Sequence, residues 1–142
     1  MDRTMGYWLL KTEPSAYSFG DLQRDGQTVW DGVRNAQALI SIRAMHAGDH
    51  ALIYHSGDER AVVGTAWIAS DPYPDPKAGD PKLVVVDVRA GQPATKPVLL
   101  ATIKADPAFA TMALIRQPRL SVLSVTDEQW LRLLELAGVR AD

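Results

Sequence analysis

Residues Leu83-Val84-Val85-Val86 are apolar at every position, and Val88 follows across Asp87. A strand with one wet face alternates apolar and polar side chains, so an unbroken run reads as a strand buried on both sides. Such burial arises when helices cover a curled sheet. Just upstream, Asp71 to Pro81 holds four prolines and a glycine in eleven residues, a density that forbids regular structure and marks an exposed loop within one domain. Ala90 to Pro97, with Gly91, Pro93 and Pro97, reads as a second irregular stretch.

Other short runs of strand-forming residues surround these. Tyr7 to Lys11 is the first, ended by Glu13-Pro14, because the residue before proline is pushed to extended geometry. Ala51 to His55 follows a turn at Gly48-Asp49, Ala61 to Ala69 comes next, and Leu120 to Val125 is a further candidate. Helix signals are fewer. Asn35 to Met45 spaces Leu39, Ile42 and Met45 along one face, and Gly48 marks the end. Ser18 to Gln23 offers a turn or two. The closing helix is the best signalled: Thr126 with Gln129 forms a capping box, Val125 against Trp130 forms a hydrophobic staple, and Gly138 stops the helix. These elements predict an α+β fold, a barrel of five to six mostly antiparallel strands with peripheral helices. It is expected to form one domain over residues 1–142, with residues 1–5 a disordered N-terminus.

A chain of 142 residues can bury a core without staples, and it contains no cysteine for a disulfide, a cysteine zinc site or a thiol nucleophile. No run approaches the ~18 apolar residues of a membrane span, and Met1 to Gly6 lacks a signal peptide's apolar core, so a soluble cytoplasmic protein is expected. Fifteen basic against seventeen acidic side chains give a net charge of -2, which argues against charge-driven coating of nucleic acid while leaving room for a local basic patch.

Three clusters join an aromatic, a charge and a turn. Lys11 and Glu13 flank Thr12 at a strand end, where both are expected to point the same way off the pleat. An ordinary exposed Lys–Glu pair satisfies the same pattern. Trp30-Asp31-Gly32-Val33-Arg34-Asn35 places an indole before a glycine turn that opens into a helix, so backbone donors and a positive helix end stand beside a flat ring. A core tryptophan followed by an N-capping Asn35 accounts for it equally. Tyr54-His55-Ser56 ends a strand, with His55 facing away from its neighbours and so badly placed as a base for Ser56. His46, His50 and His55 lack ligand spacing, so no metal is expected. Arg116-Gln117-Pro118-Arg119-Leu120-Ser121 supplies two cations suited to phosphate, or simply a solvated face.

Taken in order, Tyr7 to Pro14, Trp30 to Asn35, Met45 to Asp49, Tyr54 to Ser56, Val63-Gly64, Tyr73 to Asp75, Val86 to Val88 and Arg116 to Val122 resemble the EVE domain family of the PUA-like superfamily. The resemblance covers about Gly6 to Gly138. It implies a PUA-like β-barrel that binds a modified base, particularly a modified cytosine in DNA, without catalysis and without a cofactor. Carried over by motif, the ligand-binding residues would be Lys11, Glu13, Pro14, Trp30, Val33, Arg34, Asn35, Tyr54, His55, Ser56, Arg116, Arg119 and Ser121. Ala36, Pro118 and the aliphatic Leu83-Val84 depart from residues common in the family. In the base-reading hypothesis, a flipped base stacks on Trp30, Glu13 accepts from an exocyclic amine, Asn35 donates to a carbonyl, and Tyr54 and Ser56 close the wall. Arg34, Arg116, Arg119 and Lys11 hold flanking phosphates of DNA or RNA. Two other classes remain open: an enzyme using Lys11 and Glu13 as acid and base on a modified nucleoside, and a protein-interaction module docking through the Asp71 to Pro81 loop.

Overall fold

Seven strands and five α-helices follow one another along residues 6–140, the part of the chain that the computed structural model describes. The expected disordered segment 1–5 lies outside the described residues. β1 (Tyr7–Thr12), α1 (Phe19–Asp25), β2 (Gln27–Trp30) and α2 (Ala36–Ala44) come first. β3 (His50–His55), β4 (Ala61–Ile68), the two-residue β5 (Tyr73–Pro74) and β6 (Val84–Leu99) follow. The chain closes through α3 (Leu100–Ala105), a 3-10 turn at Pro107–Phe109, α4 (Ala113–Arg116), β7 (Val122–Ser124) and α5 (Asp127–Ala137).

The strands form one sheet in the order β2-β6-β4-β3-β1-β7, with β5 on β6, curled into a half-barrel of the PUA-like kind. Among the described residues only β1 and β3 pair in parallel, which brings their C-terminal ends together: Lys11 stands opposite Tyr54 and Thr12 opposite His55. Every other pair is antiparallel. Register sorts side chains between two faces, because neighbours along a strand alternate and cross-strand partners agree. Trp8, Leu10, Thr12, Ala51, Ile53 and, across the sheet, Val86 and Trp30 share one face. Tyr7, Leu9, Lys11, His50, Leu52, Tyr54 and Trp67 share the other.

Cap chemistry reads through from residue order. Asn35 Oδ1 accepts from the Ala38 amide at 3.0 Å, and Thr126 with Gln129 forms the reciprocal box. Trp130, Leu133, Leu134 and Ala137 are buried, and Gly138 takes the left-handed conformation at φ 68°. Ser18 and Asp21 build a second capping box that starts α1.

Four stretches differ from expectation. Ala90 to Pro97 is no loop but part of the sixteen-residue β6. β2 leaves β6 at the Gln27–Arg89 pair, so beyond it β6 has β4 on one flank only, where prolines need cost no ladder bond. The prolines leave a mark: between the Gly64–Pro93 and Val62–Val98 pairs, β4 advances two residues while β6 advances five. The Asp71 to Pro81 loop carries a short pairing, Tyr73 with Val85, pinned by the Tyr73 hydroxyl donating to Asp87 at 2.5 Å. That bond raises the Tyr73 pKa to about 12. β2 is only four residues long and escaped periodicity altogether. The short helices between Leu100 and Arg116 also carried no signal, since α3 and α4 lack side-chain caps and are held by burying Ile103 and Leu114.

On the Tyr7 face, α5 lays Trp130 against the sheet, stacked on Tyr7 at 4.7 Å, with His50 5.4 Å from Trp130 and 4.1 Å from Trp67. Burial lowers the His50 pKa from its ordinary 6.5, against a smaller opposing pull from Asp49. The unfolded chain therefore binds this proton more tightly than the native one. His50's contribution is complete above pH 6.5 and is lost as pH falls through the lower native value. Thermal melts should show stability dropping below pH 6.5, ahead of the carboxylates that titrate nearer 4, and His50→Phe should flatten that first drop.

Candidate functional site

A cavity of about 170 Å³ opens beside Trp30, lined by Thr12, Tyr17, Thr28, Val29, Trp30 and Asp31. Drug-sized ligands occupy roughly 300–1,000 Å³, so this space suits a single ring rather than a whole nucleotide. β1 delivers Thr12, whose hydroxyl donates to the Tyr17 carbonyl at 2.6 Å. Tyr17 turns its ring edge-on to Trp30, 6.5 Å between centroids at 83°, and donates its hydroxyl to Asp25 at 2.9 Å. Trp30 itself is only 8% exposed: most of the indole belongs to the core and one rim borders the cavity.

The helix that backs this wall is clamped from below. His55 Nε2 accepts from the Phe19 amide at 2.9 Å, which leaves Nδ1 to donate to Glu59 at 2.7 Å and defines the tautomer. The Phe19 ring lies flat against Gly64, where any side chain would collide with it. His55 is thus buried beneath the site, holding α1 in place, and offers no ring nitrogen to a ligand.

Of the candidate ligand-binding residues carried over by motif, Trp30 alone lines this cavity. Lys11 and Tyr54 are one residue out of phase with Thr12 and occupy the opposite face, with the Lys11 ammonium 5.7 Å from the Tyr54 ring. Lys11 Nζ donates to the Pro118 carbonyl at 2.8 Å and its backbone amide to Ser121 at 2.9 Å. Because the partner at 118 is a backbone oxygen, the departure to proline there keeps this contact. Burial lowers the Lys11 pKa. Arg116 Nε donates to the Ala110 carbonyl, while Arg119 and Arg34 are exposed. Arg34 borders a groove with Arg43 and Lys82. Val33 is half-buried against the core, Asn35 spends its oxygen on the α2 cap, and the Ser56 amide bonds to Thr12.

The pleat expected to aim Lys11 and Glu13 the same way stops at Thr12, where β1 ends, and the two side chains take different partners. Glu13 and Pro14 open a turn in which the Glu13 carboxylate accepts from the Ser15 amide and hydroxyl at 3.0 and 2.9 Å and lies against Gly57. Those bonds from Ser15 lower the Glu13 pKa. A carboxyl held ionised in this way is weakened as a base, and no ion pair joins it to Lys11. Thr12 and Asp31 stood inside the motifs without a role, and Tyr17, Thr28 and Val29 stood outside them. Only the pairing of β2 with β6 and the turn after Pro14 bring these five to one place.

Among the described residues, no group of His, Asp and Glu has metal-binding geometry, and no helix is long and apolar enough to cross a membrane. Comparison with known proteins matches residues 6–136 to the model of the EVE domain. Thymocyte nuclear protein 1 of Rattus norvegicus is 31% identical, over 92% of this chain and 73% of the relative. A Rhodopseudomonas palustris protein solved by NMR superposes with a TM-score of 0.91 at 41% identity, covering 97% of each chain. Human thymocyte nuclear protein 1, crystallised in complex with 5-methylcytosine-containing DNA, superposes with a TM-score of 0.86 at 30% identity, covering 96% of this chain and 99% of that one.

Proposed function

The chain belongs to the EVE domain family, and from that membership we propose that it binds nucleic acid and reads a 5-methyl- or 5-hydroxymethylcytosine flipped out of DNA. The observation that carries the proposal is the likeness, over nearly the full chain, to a human relative crystallised with 5-methylcytosine-containing DNA. The cavity beside Trp30 supports it with room for one ring bordered by two aromatics and a carboxylate.

Flipping costs a few kcal/mol of lost stacking. Contact with aromatic rings returns ~1–3 kcal/mol per base, so polar contacts at the base edge must supply the remainder and the specificity. Asp31 borders the cavity and can accept from the exocyclic amine, and the Thr12 and Thr28 hydroxyls stand at its wall. Arg34 and Arg119, both exposed, are the cations this reading assigns to flanking phosphates.

Fluorescence anisotropy with matched duplexes carrying one 5-methylcytosine or one cytosine tests the reading. A methyl group in an apolar niche is worth ~1–3 kcal/mol, so the modified duplex should bind at least about fivefold tighter. Because cationic contacts to phosphate carry part of the binding, both affinities should fall as salt rises. Equal binding of the two duplexes, or binding of neither, overturns the proposal.

A further inference from the structure

We propose that a second cavity, between the Tyr7 face of the sheet and α5, is a site for a nucleobase carrying a phosphate. It encloses about 190 Å³ and is walled by Tyr7, His50, Trp67 and Trp130, with Gln92 and Arg140 among its polar lining. It is separate from the Trp30 cavity, since Tyr7 and Thr12 stand at opposite ends of β1 and on opposite faces of the sheet.

Four aromatic rings gathered around one space define what can enter. The four contacting pairs among them lie 4.1 to 5.9 Å apart between centroids, a packed aromatic cluster whose remaining surface borders the cavity. Cages of this type take either an organic cation or a flat heterocycle. Charge decides between them. No carboxylate lines this cavity among the described residues, whereas the Arg140 guanidinium does, and His50 is kept neutral by its burial. An ammonium ion would meet a like charge with no counter-ion among the described lining residues, so the flat heterocycle is favoured.

Two further features match a nucleotide. The Arg89 guanidinium rests over the half-buried Trp67 ring, 5.7 Å from its centroid, so a second cation stands next to a residue of the cavity wall and could reach a phosphate. Gln92 is anchored by its backbone amide donating to Thr65 at 2.9 Å, while its side-chain amide makes no hydrogen bond and is available to a base edge. The close approach of Gly91 to the Thr65 backbone builds this corner and leaves no room for a side chain there.

The test is an NMR titration reading the indole N–H resonances of Trp67, Trp130 and Trp30 separately, with cytidine monophosphate, cytidine, an unmodified oligothymidylate and choline as probes. The proposal expects saturable shifts at Trp67 and Trp130 with cytidine monophosphate, which assigns a pocket for free mononucleotides, or with the oligothymidylate alone, which assigns a seat for a strand. Trp67→Leu should weaken that binding about 5- to 150-fold, the range of one lost stacking contact. Arg140→Gln, on the exposed rim, should weaken the phosphate-bearing probe and leave cytidine unaffected. Shifts with choline instead, shifts confined to Trp30, or none with any probe overturn the assignment. Because Trp30 reports on the other cavity, this proposal and the base-reading one fail by different signals.

Discussion

Replacing Asp49 with alanine should remove about 3–5 kcal/mol of stability, the largest loss expected from any single polar side chain in this fold. The Asp49 carboxylate is fully buried and accepts from the Gly6 amide at 3.2 Å, the Trp8 indole at 3.0 Å and the His46 amide at 3.0 Å. It ties the start of β1 to the turn that follows α2, at the head of β3. A buried donor stranded without a partner costs about 1–3 kcal/mol, and alanine strands the buried Trp8 indole N–H together with two part-buried amides. Against a total stability of roughly 5–15 kcal/mol for a domain, the loss should lower the melting temperature by on the order of 10–20 °C. Denaturant unfolding should show the midpoint falling with an unchanged slope. A loss under 1 kcal/mol would mean that these contacts do not hold the strand ends together.

Trp30→Ala should lower affinity for the 5-methylcytosine duplex about 5- to 150-fold, the equivalent of one lost stacking contact. The same change should also destabilise the fold, by about 3–5 kcal/mol, because the indole is mostly core and its removal leaves a void. The two effects separate with Trp30→Phe, which keeps a ring beside Tyr17 and should retain most of the stability. If that ring still supports stacking, the phenylalanine variant binds more tightly than the alanine one. Binding must be measured below each variant's melting transition. A folded Trp30→Ala protein that still binds the modified duplex with undiminished affinity would remove the indole from the recognition site.

His55 illustrates why the site was only partly legible in advance. Its place beside Tyr54 and Ser56 marked it for a ligand, yet its ring is spent on the Phe19 amide and Glu59. A partner thirty-six residues away in the chain leaves no trace in local spacing. Tyr17 presents the opposite case. It sits in no motif with an assigned role, but the turn that brings its amide back to the Glu13 carbonyl sets its ring against Trp30. Lys11 and Tyr54 were grouped with Trp30 by motif, and register parity sends them to the other face of the sheet.

Residue order alone was enough for the features whose physics is local. The caps at Asn35 and Thr126 need only three or four neighbours to complete their hydrogen bonds, and Gly138 needs only its own missing Cβ. The order of motifs along the chain was likewise enough for the family. Pairing was not. The straightening of Ala90 to Pro97 into β6, the existence of the four-residue β2 and the helices after Leu99 all depend on partners distant in the chain. A side chain's face follows from register, and register is a long-range property: one residue of slip exchanges every contact. Hence the cavity beside Trp30 and the aromatic chamber beneath α5 became visible only once the strands were aligned.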